Sequence, residues 1–515
     1  LPSLLQLTPR LCPPPLPHLK PNIVHPSSFS THLSARVFPP TTRATCHFAE
    51  LTIQRSLPLL PSEISKTYLP PIGASYTPPP RPNLNSTTMA PGTISPGLHH
   101  GNQDIDLTSS AIEHKLEAIP NGKGTIGAAN GAANGKPVYQ ELDASKLIYN
   151  RTKNPREVPD LASANTGSET IATDHMIAAT WKAGAGWSAP ELKPYGPISL
   201  MPTASVLHYA TECFEGLKVF RGFDGALRLF RPDRNCERML MSSTRIALPG
   251  FPPAELEKLL IALMAVDGPK WLPRDRPGSF LYLRPTMIGT QPQLGVQAPS
   301  EAMLYIICTF MPVMDSPAGG MKLHTSPEDV VRAWVGGFGY AKVGANYGPS
   351  LLATSEARSR GFGQILWLYG KEQYCTEAGA SNFFVVWKNK ETGKTEIITA
   401  PLDDRLILDG VTRRSVLQLA RERLGGDVEV VERRYTIDDV IEASDEGRIV
   451  ESFAAGTAYF VCPISLIHHR GKDVNLGMGN DGQGGKYTLQ IKKWMKDIMY
   501  GGEQHEWGVV VQEEQ

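Results

Sequence analysis

Proline is distributed unevenly along this 515-residue chain, with 20 of its 44 prolines in residues 1–100, including two runs of three. Because proline lacks a backbone N–H and blocks helices, this stretch cannot build a regular core. The segment 122–135, made mostly of glycine, alanine and asparagine, has the composition of a flexible linker. We therefore predict that residues 1–135 are disordered and that the folded part of the chain follows them.

Residues 1–88 contain seven Lys or Arg, two acidic residues and no methionine. This composition resembles that of an organellar transit peptide. The alternative is that residues 1–88 precede the true start of the protein, which would then be Met89. Because the prolines would interrupt the amphipathic helix that a transit peptide needs, we favour this alternative and expect a cytoplasmic protein. A mitochondrial protein would be expected if residues 1–88 are a genuine transit segment.

The overall composition, 41% hydrophobic and 20% charged, is typical of a soluble globular protein. Lys plus Arg and Asp plus Glu number 51 each, so no net charge attracts nucleic acid or an anionic membrane. No apolar run approaches the roughly 20 residues that a membrane span requires. The seven cysteines are scattered and include no C-x-x-C pair, which argues against a disulfide framework or a zinc site. We expect small soluble molecules as ligands, and no nucleic acid, membrane or metal.

Short strand and helix patterns follow the linker. Residues 280–283 and 303–310 are rich in β-forming side chains, and residues 253–266 carry leucines at helical spacing. Further segments predict strands at 364–369, 382–387 and 395–399 and helices at 412–424 and 487–500. In the last helix, Leu489, Trp494 and Ile498 are expected to pack on the protein body. We predict an α/β chain with a small domain (136–310), an interdomain loop (311–320), a large domain (321–502) and a tail (503–515).

Lys342 lies among small and apolar residues in the segment GYAKVGANYGP (339–349). Lysine side chains normally seek water. Burial lowers the pKa of an ammonium group and so yields the neutral amine that Schiff-base chemistry requires. Taken alone, the residue is better explained as a lysine at a strand edge or in a turn. Neither a G-x-S-x-G elbow nor a P-loop occurs in the sequence.

Other polar positions could serve the same chemistry. Glu377 precedes a predicted strand, and a buried carboxylate there could keep a pyridine nitrogen protonated. Arg238 is spaced among the apolar residues of a helix and could reach a phosphate. Val411 and Thr412 open a helix whose free N–H groups can bind an anion, and Thr457 could add a hydroxyl. Individually, Glu377 is better explained as an exposed loop residue and Arg238 as part of an ion pair on a helix face, and the other signals are weak.

Several segments occur together in a recognisable order. They are Leu207-His208-Tyr209, Phe214-Glu215-Gly216, Tyr282-Leu283-Arg284-Pro285, the stretch 332–337 (RAWVGG), Lys342 with Asn346-Tyr347-Gly348-Pro349, Thr376-Glu377-Ala378-Gly379, Gly410-Val411 and Gly456-Thr457-Ala458. This set resembles the branched-chain aminotransferases, which have the two-domain fold type IV of the D-amino-acid-aminotransferase-like enzymes. The resemblance covers residues 173–500.

The resemblance implies a pyridoxal 5'-phosphate (PLP) enzyme that reversibly transfers the amino group of leucine, isoleucine or valine to 2-oxoglutarate. Its substrates would be these amino acids, their 2-oxo acids and glutamate, and the protein would be a homodimer. Lys342 would be the Schiff-base lysine, which also moves the substrate's proton. Glu377 would be the partner of the pyridine nitrogen, and Tyr347 that of the cofactor's phenolic oxygen.

The remaining roles implied by the resemblance concern the cofactor phosphate and the substrate. The phosphate would be bound by Arg238, the amides of Val411 and Thr412, and Thr457. The substrate α-carboxylate would be bound by Tyr282 with the amides of Thr457 and Ala458. Arg284 would meet the second carboxylate of glutamate or 2-oxoglutarate, and Tyr209 and Phe214 would form walls of the apolar pocket.

Two departures from the family pattern leave alternatives open. Residues 380–381 are Ala-Ser where many relatives have Thr-Met, and only Cys462 remains of the C-x-x-C redox pair of mammalian members. A specialised enzyme of secondary metabolism would fit these changes. A D-amino-acid aminotransferase or an aminodeoxychorismate lyase would keep Lys342 and Glu377 but lack the segment 332–337. A cofactor-free binding protein would have lost Lys342 or Glu377, and both are present.

Overall fold

A computed structural model of the chain describes residues 139–160, 170–311, 316–479 and 482–514. The predicted disordered region, residues 1–135, lies outside the described residues, as do residues 136–138 and residues 312–315 of the predicted interdomain loop. Within the described ranges the chain forms two β-sheets with seven α-helices. The helices are α1 (Ser205–Tyr209), α2 (Pro232–Arg245), α3 (Pro253–Trp271), α4 (Leu351–Ser359), α5 (Val411–Arg423), α6 (Ile437–Asp445) and α7 (Lys486–Met499).

The strands of the described residues divide into two groups along the chain. The first group is β1 (Ile148–Tyr149), β2 (His175–Lys182), β3 (Gly186–Trp187), β4 (Glu191–Pro194), β5 (Glu212–Phe214), β6 (Leu217–Arg221), β7 (Leu227–Phe230), β8 (Phe280–Gly289) and β9 (Glu301–Thr309). The second group is β10 (Met321–Thr325), β11 (Gln364–Tyr369), β12 (Tyr374–Ala378), β13 (Ser381–Lys388), β14 (Thr395–Thr399), β15 (Val428–Glu432), β16 (Ile449–Ala455), β17 (Val461–His469) and β18 (Lys472–Asn475), followed by β19 (Gly508–Val511).

The first sheet has the strand order β1-β4-β2-β9-β8-β6-β7-β19, with β3 beside β2 and β5 beside β8. Helix α3 packs on it through Leu256, Leu259, Leu260 and Leu263, which are fully buried. This helix continues past the predicted end at residue 266 as far as Trp271. Tertiary contacts stabilise the extra turn, because the Asp267 carboxylate accepts hydrogen bonds from the backbone and ring of His175.

The last strand corrects the prediction that residues 503–515 form a tail. Gly508–Val511 (β19) pairs antiparallel with β7 and so belongs to the first sheet. Glu513 then binds the buried Arg221, with both carboxylate oxygens within 3.0 Å of the guanidinium. A four-residue apolar run is too short to be separated from a loop by sequence pattern, and its pairing with β7 makes it a strand.

The second sheet has the order β12-β11-β10-β17-β16-β13-β14-β15, with β18 beside β17. Strand β12 also pairs with β13, so six of these strands form a closed ring. Predicted strands 364–369 and 395–399 match β11 and β14, and 382–387 lies inside β13. Helix α5 is shifted by one residue at each end from the prediction.

A hydrophobic cluster joins the two sheets through helices α5 and α7. It contains Phe220 and Phe230 of the first sheet, Val416 of α5, and Ile491 and Met495 of α7, all buried. Among the residues expected to pack from α7, Ile498 is buried and Trp494 is partly buried against the same cluster, but Leu489 is 38% exposed. Leu489 falls outside the stripe formed by residues 491, 495 and 498. None of the helices in the described ranges combines the length and apolar character of a membrane span.

Candidate active site

The backbone around Lys342 is held on both sides. Its N–H donates to the Ser242 hydroxyl at 2.8 Å, and its carbonyl accepts a hydrogen bond from the Phe214 N–H at 3.1 Å. Four residues on, the buried Asn346 side chain donates to the Ala341 carbonyl at 2.9 Å. Ser242 belongs to α2 and Phe214 to β5, so two elements of the first sheet's layer fix the start of this loop.

The Lys342 side chain points into a half-buried aromatic site. Its Nζ donates to the Tyr347 hydroxyl at 2.9 Å and lies 4.7 Å from the centre of the Phe214 ring. The rings of Phe214 and Tyr347 are themselves in contact, with 5.0 Å between their centres. The predicted lysine, tyrosine and phenylalanine are therefore brought together, and among the described residues the amine has one hydrogen-bond partner and two aromatic neighbours.

Glu377 lies on β12 and is 2% exposed. Its Oε1 accepts hydrogen bonds from the Leu408 N–H at 3.2 Å and from the Asn382 side chain at 3.4 Å. Its Oε2 lies 2.6 Å from Nη1 of Arg332, yet the geometry is not that of a hydrogen bond, so this buried oxygen keeps an accepting lone pair. Burial raises the pKa of the Glu377 carboxyl, and the charge of Arg332 opposes that rise.

Arg238, on α2, forms a buried ion pair with Glu215. Its Nε and Nη2 donate to the two carboxylate oxygens at 2.7 and 2.8 Å, and its Nη1 donates to the Asp409 carbonyl at 2.8 Å. Burial alone would raise the pKa of Glu215, but the adjacent Arg238 holds that pKa below its usual value. The ion pair fixes the guanidinium next to the loop that leads into α5.

Helix α5 begins beside this ion pair, and Gly410 at its N-cap provides no capping side chain. A Cβ at Gly410 would overlap the Asn382 side chain, so glycine is required for this close approach. The N–H groups of Val411 and Thr412 have no partner within the helix and carry the positive end of its dipole. Together with Thr457, these two residues line a cavity of about 120 Å³. The cavity therefore has the donors of an anion site.

Tyr282 and Arg284 lie on the same face of β8, as alternation along a strand predicts. The Arg284 Nη2 donates to the Tyr282 hydroxyl at 2.9 Å, and its guanidinium lies 4.6 Å from the centre of the Phe214 ring. The Nε of Arg284 is buried and has no hydrogen-bond partner within the described ranges. A Cβ at Gly216 would overlap the Tyr282 hydroxyl, and the Gly216 carbonyl accepts a hydrogen bond from Thr457 at 3.3 Å.

Ala458 and Tyr209 complete the predicted set. The Ala458 carbonyl accepts a hydrogen bond from Lys218 Nζ at 3.1 Å, and burial lowers the pKa of Lys218 to about 8. Tyr209 ends helix α1, is 37% exposed and has its ring beside that of His208. In the portion of the chain that the structure describes, no hydrogen bond or ring contact joins Tyr209 to the group around Lys342.

Several polar residues of this site had no role predicted from the sequence. Glu215 and Arg332 lie in segments that carry the family resemblance, but the sequence does not indicate which residues they pair with. Lys218 follows the Phe214-Glu215-Gly216 motif. Glu212, whose carboxyl pKa is raised by burial, accepts a hydrogen bond from the Gly344 N–H. No short-range pattern links these partners, because they are far apart in sequence.

Comparison with known proteins identifies the family. The family described as amino-transferase class IV matches residues 212–467. The mitochondrial branched-chain-amino-acid aminotransferase of Schizosaccharomyces pombe is 45% identical over 364 residues, which are 70% of this chain and 84% of that protein. The cytosolic branched-chain-amino-acid aminotransferase of Mus musculus is 42% identical over 383 residues, which are 74% of this chain and 96% of that protein.

Solved structures agree in fold. The branched-chain aminotransferase of Thermoproteus uzoniensis, solved with norvaline, has a TM-score of 0.51 at 24% identity and is matched over 65% of this chain and 99% of its own. The branched-chain amino acid aminotransferase of Thermobaculum terrenum, solved in its PLP-bound holo form, has a TM-score of 0.51 at 23% identity, over 66% of this chain and 98% of its own. The predicted fold class, fold type IV, is confirmed. The chain belongs to the class IV, PLP-dependent aminotransferases and, within them, to the branched-chain-amino-acid aminotransferase family.

Proposed function

We propose that this protein transfers the amino group of leucine, isoleucine and valine to 2-oxoglutarate, using PLP held by Lys342. The family membership supports the reaction. The observation that carries the residue assignment is that Lys342 Nζ, hydrogen-bonded to Tyr347, lies within electrostatic reach of the buried Glu377 and Glu215 carboxylates. Glu215 in turn pairs with Arg238, which is fixed at the loop that leads into α5. These are the groups needed for an amine attachment point, a pyridine partner and a phosphate site.

The residues present fit PLP on a specific structural ground. Glu377 Oε2 is buried and, among the residues that the structure describes, has Arg332 as an ion-pair partner but no hydrogen-bond donor of good geometry. A protonated pyridine nitrogen is such a donor. When bound, PLP supplies a ring that withdraws electrons from the substrate Cα. The role proposed for Glu377 is to keep its negative charge beside the ring nitrogen, and the Arg332 cation, 2.6 Å from the same Oε2, favours the charged carboxylate.

The protein's contribution to the proton transfer is assigned to Lys342 and Tyr347. Lys342 Nζ would take the proton from the substrate Cα as general base. The Tyr347 hydroxyl, 2.9 Å from this nitrogen, orients the amine. The Phe214 ring beside them excludes water from one side of the nitrogen. This arrangement would keep Lys342 Nζ within reach of the substrate Cα proton, which is the geometric requirement for general base catalysis.

The phosphate of the cofactor is assigned to Arg238, the amides of Val411 and Thr412, and Thr457. Three facts support this assignment. A helix N-terminus favours an anion, the N-cap Gly410 leaves it uncapped by a side chain, and Arg238 is fixed beside it through the Asp409 carbonyl. Within the described ranges Arg238 donates three hydrogen bonds to protein atoms, and a guanidinium has five N–H groups, so two are available for an anion there.

The substrate pocket must accept both an aliphatic side chain and a carboxylate. We assign the α-carboxylate to Tyr282 with the amides of Thr457 and Ala458, and the second carboxylate of glutamate or 2-oxoglutarate to Arg284. Arg284 stacks on Phe214, so one ring offers an apolar wall and carries the cation on its face. Apolar walls favour aliphatic chains by about 0.8 kcal/mol per buried CH₂. Tyr209 is proposed as a further wall.

Assays with leucine, isoleucine, valine and D-alanine as donors and 2-oxoglutarate as acceptor test this function. We expect activity with the three L-amino acids and none with D-alanine. Preference for D-alanine would assign the chain to the D-amino-acid branch of the family. Activity with L-amino acids other than these three and glutamate would instead favour a specialised enzyme, and the Ala-Ser pair at 380–381 would be the first candidate for the altered preference. The Ser381 hydroxyl lies against Gly456, within this region.

A homodimer is proposed as the working form. Leu351 and Leu352, at the start of α4, are 66% and 72% exposed, and Trp334 and Val335 are about half exposed. Exposed apolar side chains of this size are typical of surfaces that bind another protein. The mass in solution tests the proposal, and Leu352→Glu is expected to shift a dimer toward monomer.

The proposed compartment is the cytoplasm, with the mitochondrion as the alternative if residues 1–88 act as a transit segment. Relatives of both kinds occur, since the Schizosaccharomyces pombe protein is named mitochondrial and the Mus musculus protein cytosolic. Fusion of residues 1–88 to a fluorescent protein distinguishes the two, because mitochondrial import of the fusion would contradict the cytoplasmic proposal.

A further inference from the structure

A second cavity, of about 380 Å³, lies between the N-terminus of α2 and the outer face of α5. It shares no lining residue with the site around Lys342. Five arginines line it: Arg231, Arg234, Arg413, Arg414 and Arg421. Two glutamates, Glu422 and Glu432, are the acidic residues of the lining. We call this space the arginine cavity. Arg234 and Arg414 are paired with carboxylates outside the lining, those of Glu237 and Asp409, so the buried arginines described next carry the argument.

One of the lining arginines, Arg413, is buried and is held in place by hydrogen bonds. Arg413 is 1% exposed, and its Nη2 donates to Glu432 and to the Ala400 carbonyl, both at 2.7 Å. Its Nε is buried and has no hydrogen-bond partner within the described residues. A buried guanidinium N–H that lacks a partner costs free energy, and a bound anion would remove that cost.

Arg231 is a second buried cation of the wall, at 7% exposure. It is the N-cap of the 14-residue helix α2, has a left-handed backbone (φ 47°) and stacks 4.0 Å from the centre of the Trp507 ring. Its Nη1 donates to the neutral Ser415 hydroxyl at 3.1 Å. Across the ranges that the structure describes, no carboxylate lies within salt-bridge distance of Arg231. Burial, with a further contribution from the nearby Arg234, lowers the pKa of the Arg231 guanidinium.

The chemistry of the lining selects the class of ligand. Guanidinium groups bind phosphate and carboxylate through paired N–H donors. The N-terminus of α2 adds the positive end of a helix dipole. Apart from Leu402 and Leu417 the lining is polar, and it includes no aromatic ring on which a nucleobase could stack. A compact ion with several negative charges therefore suits the cavity better than a nucleotide.

We propose that the arginine cavity binds a small polyanion that carries phosphate groups, of the size and charge of pyrophosphate. This binding site is separate from the one that holds the cofactor phosphate. The ligand would contact the buried guanidinium groups of Arg231 and Arg413 and would be closed in by the more exposed Arg421. Its affinity should fall with rising salt, because exposed charges contribute to it.

The site can be tested on the PLP-loaded enzyme, in which the cofactor phosphate fills its own site. Calorimetric titration with pyrophosphate at low ionic strength should give saturable binding of one ion per chain. Parallel titrations with inorganic phosphate and with citrate show whether binding requires two linked phosphate groups or only several negative charges. The proposal expects pyrophosphate to bind more tightly than citrate. Tighter binding of citrate would overturn the phosphate assignment.

Variants of exposed lining residues avoid disturbing the fold. Arg421→Met removes a cavity arginine that is 49% exposed and paired with Glu432, and we expect the Kd for pyrophosphate to rise about tenfold or more, the usual scale for a lost charge-assisted hydrogen bond. The matched control is Arg434→Met, because Arg434 is 48% exposed, is paired with Asp404 and lies outside the lining. Gln418→Glu adds a negative charge to the lining without removing an arginine and should also weaken binding.

Arg414 is left unchanged in this test because its Nε binds both carboxylate oxygens of Asp409, at 2.7 and 2.8 Å, next to the cofactor's predicted phosphate site. Absence of saturable binding to the wild type would overturn the proposal. So would binding that is unaffected by both Arg421→Met and Gln418→Glu, since the ion would then lie elsewhere. If Arg421→Met and Arg434→Met weakened pyrophosphate binding equally, the effect would come from general surface charge. That result would also overturn the proposal.

Discussion

Arg238 donates to both carboxylate oxygens of Glu215, with 2.7 Å from Nε to Oε1 and 2.8 Å from Nη2 to Oε2. Both side chains are buried, with 8% and 0% exposure. The same guanidinium reaches the Asp409 carbonyl, two residues before helix α5. Glu215 therefore acts as a positioning residue: it fixes the arginine that is proposed to bind the cofactor phosphate.

Replacement of Glu215 with Gln should weaken PLP retention and stability together. Breaking one partner of a buried ion pair leaves the other charge uncompensated, which typically costs about 3–5 kcal/mol. We expect faster loss of the cofactor's visible absorbance on dilution and a lower urea midpoint. The conservative variant Glu215→Asp, which keeps the charge, should recover part of both. Normal cofactor retention in Glu215→Gln would show that Arg238 is positioned without it.

The same pair predicts a pH dependence of stability. Because the folded protein holds the pKa of Glu215 below its usual value, the stabilisation is complete above the unfolded value of about 4.3 and is lost as pH falls through the lower folded pKa. Urea unfolding between about pH 3 and 6 measures this loss as a slope. Glu215→Gln should show a smaller slope than the wild type over this range, and parallel curves would contradict the assignment.

Arg332 should control the charge of Glu377. Burial raises the pKa of the Glu377 carboxyl, and Arg332, 2.6 Å away, opposes this. Removing the cation in Arg332→Gln should therefore raise that pKa further, so that the carboxylate becomes protonated at a higher pH and loses its attraction for a protonated pyridine nitrogen. We expect Arg332→Gln to lose PLP at a higher pH than the wild type when the pH is lowered. Arg332→Lys should raise this pH less. An unchanged pH of cofactor loss in Arg332→Gln would exclude this role.

Lys342→Ala should abolish turnover while leaving the protein folded. Lys342 is half-buried, and its side chain makes one hydrogen bond, so the substitution removes the proposed base without breaking a network. General acid–base catalysis typically supplies 10²–10⁴-fold, and we expect leucine transamination to fall by about a thousandfold or more. Residual activity well above that level, in protein with a wild-type circular dichroism spectrum, would mean that another residue is the base.

The part of this site that could be predicted from sequence consists of residues that carry their own local signal. Lys342 lies between small residues, Val411 and Thr412 open a helix, and Tyr282 and Arg284 share a strand face by alternation. The ion partners could not be predicted in the same way. Pairing of Glu215 with Arg238 depends on how β5 and α2 pack, and no periodic pattern records such a contact.

The helices and strands were likewise predicted where the sequence carries a local signal and missed where distant contacts determine them. Strands β11 and β14 were predicted to the residue because turn signals bound them on both sides. The end of α3 was missed because the buried hydrogen bonds between Asp267 and His175 extend a helix that Gly268 and Pro269 would otherwise end. Strand β19 was missed because its four residues become a strand through pairing with β7, more than 270 residues earlier in the chain.

Arg284 offers the sharpest test of how one pocket serves two kinds of side chain. Its Nη2 donates to the Tyr282 hydroxyl at 2.9 Å, and its buried Nε has no hydrogen-bond partner in the described parts of the chain. The guanidinium therefore has donor capacity that a carboxylate could use. The guanidinium lies 4.6 Å from the centre of the Phe214 ring, and Lys342 Nζ lies 4.7 Å from the same ring centre.

Arg284→Met keeps side-chain length and apolar bulk but removes these donors. We expect glutamate and 2-oxoglutarate to lose about 2–4 kcal/mol of transition-state stabilisation, the range for a buried charge that loses its partner. Leucine has no second carboxylate, so its half-reaction, followed as single-turnover absorbance of the cofactor, should fall much less. Arg284→Lys, which keeps the charge without the fork, should lie between the wild type and Arg284→Met for glutamate. Equal losses for leucine and glutamate would instead place Arg284 at the α-carboxylate or in the scaffold, because every substrate of the reaction shares those contacts.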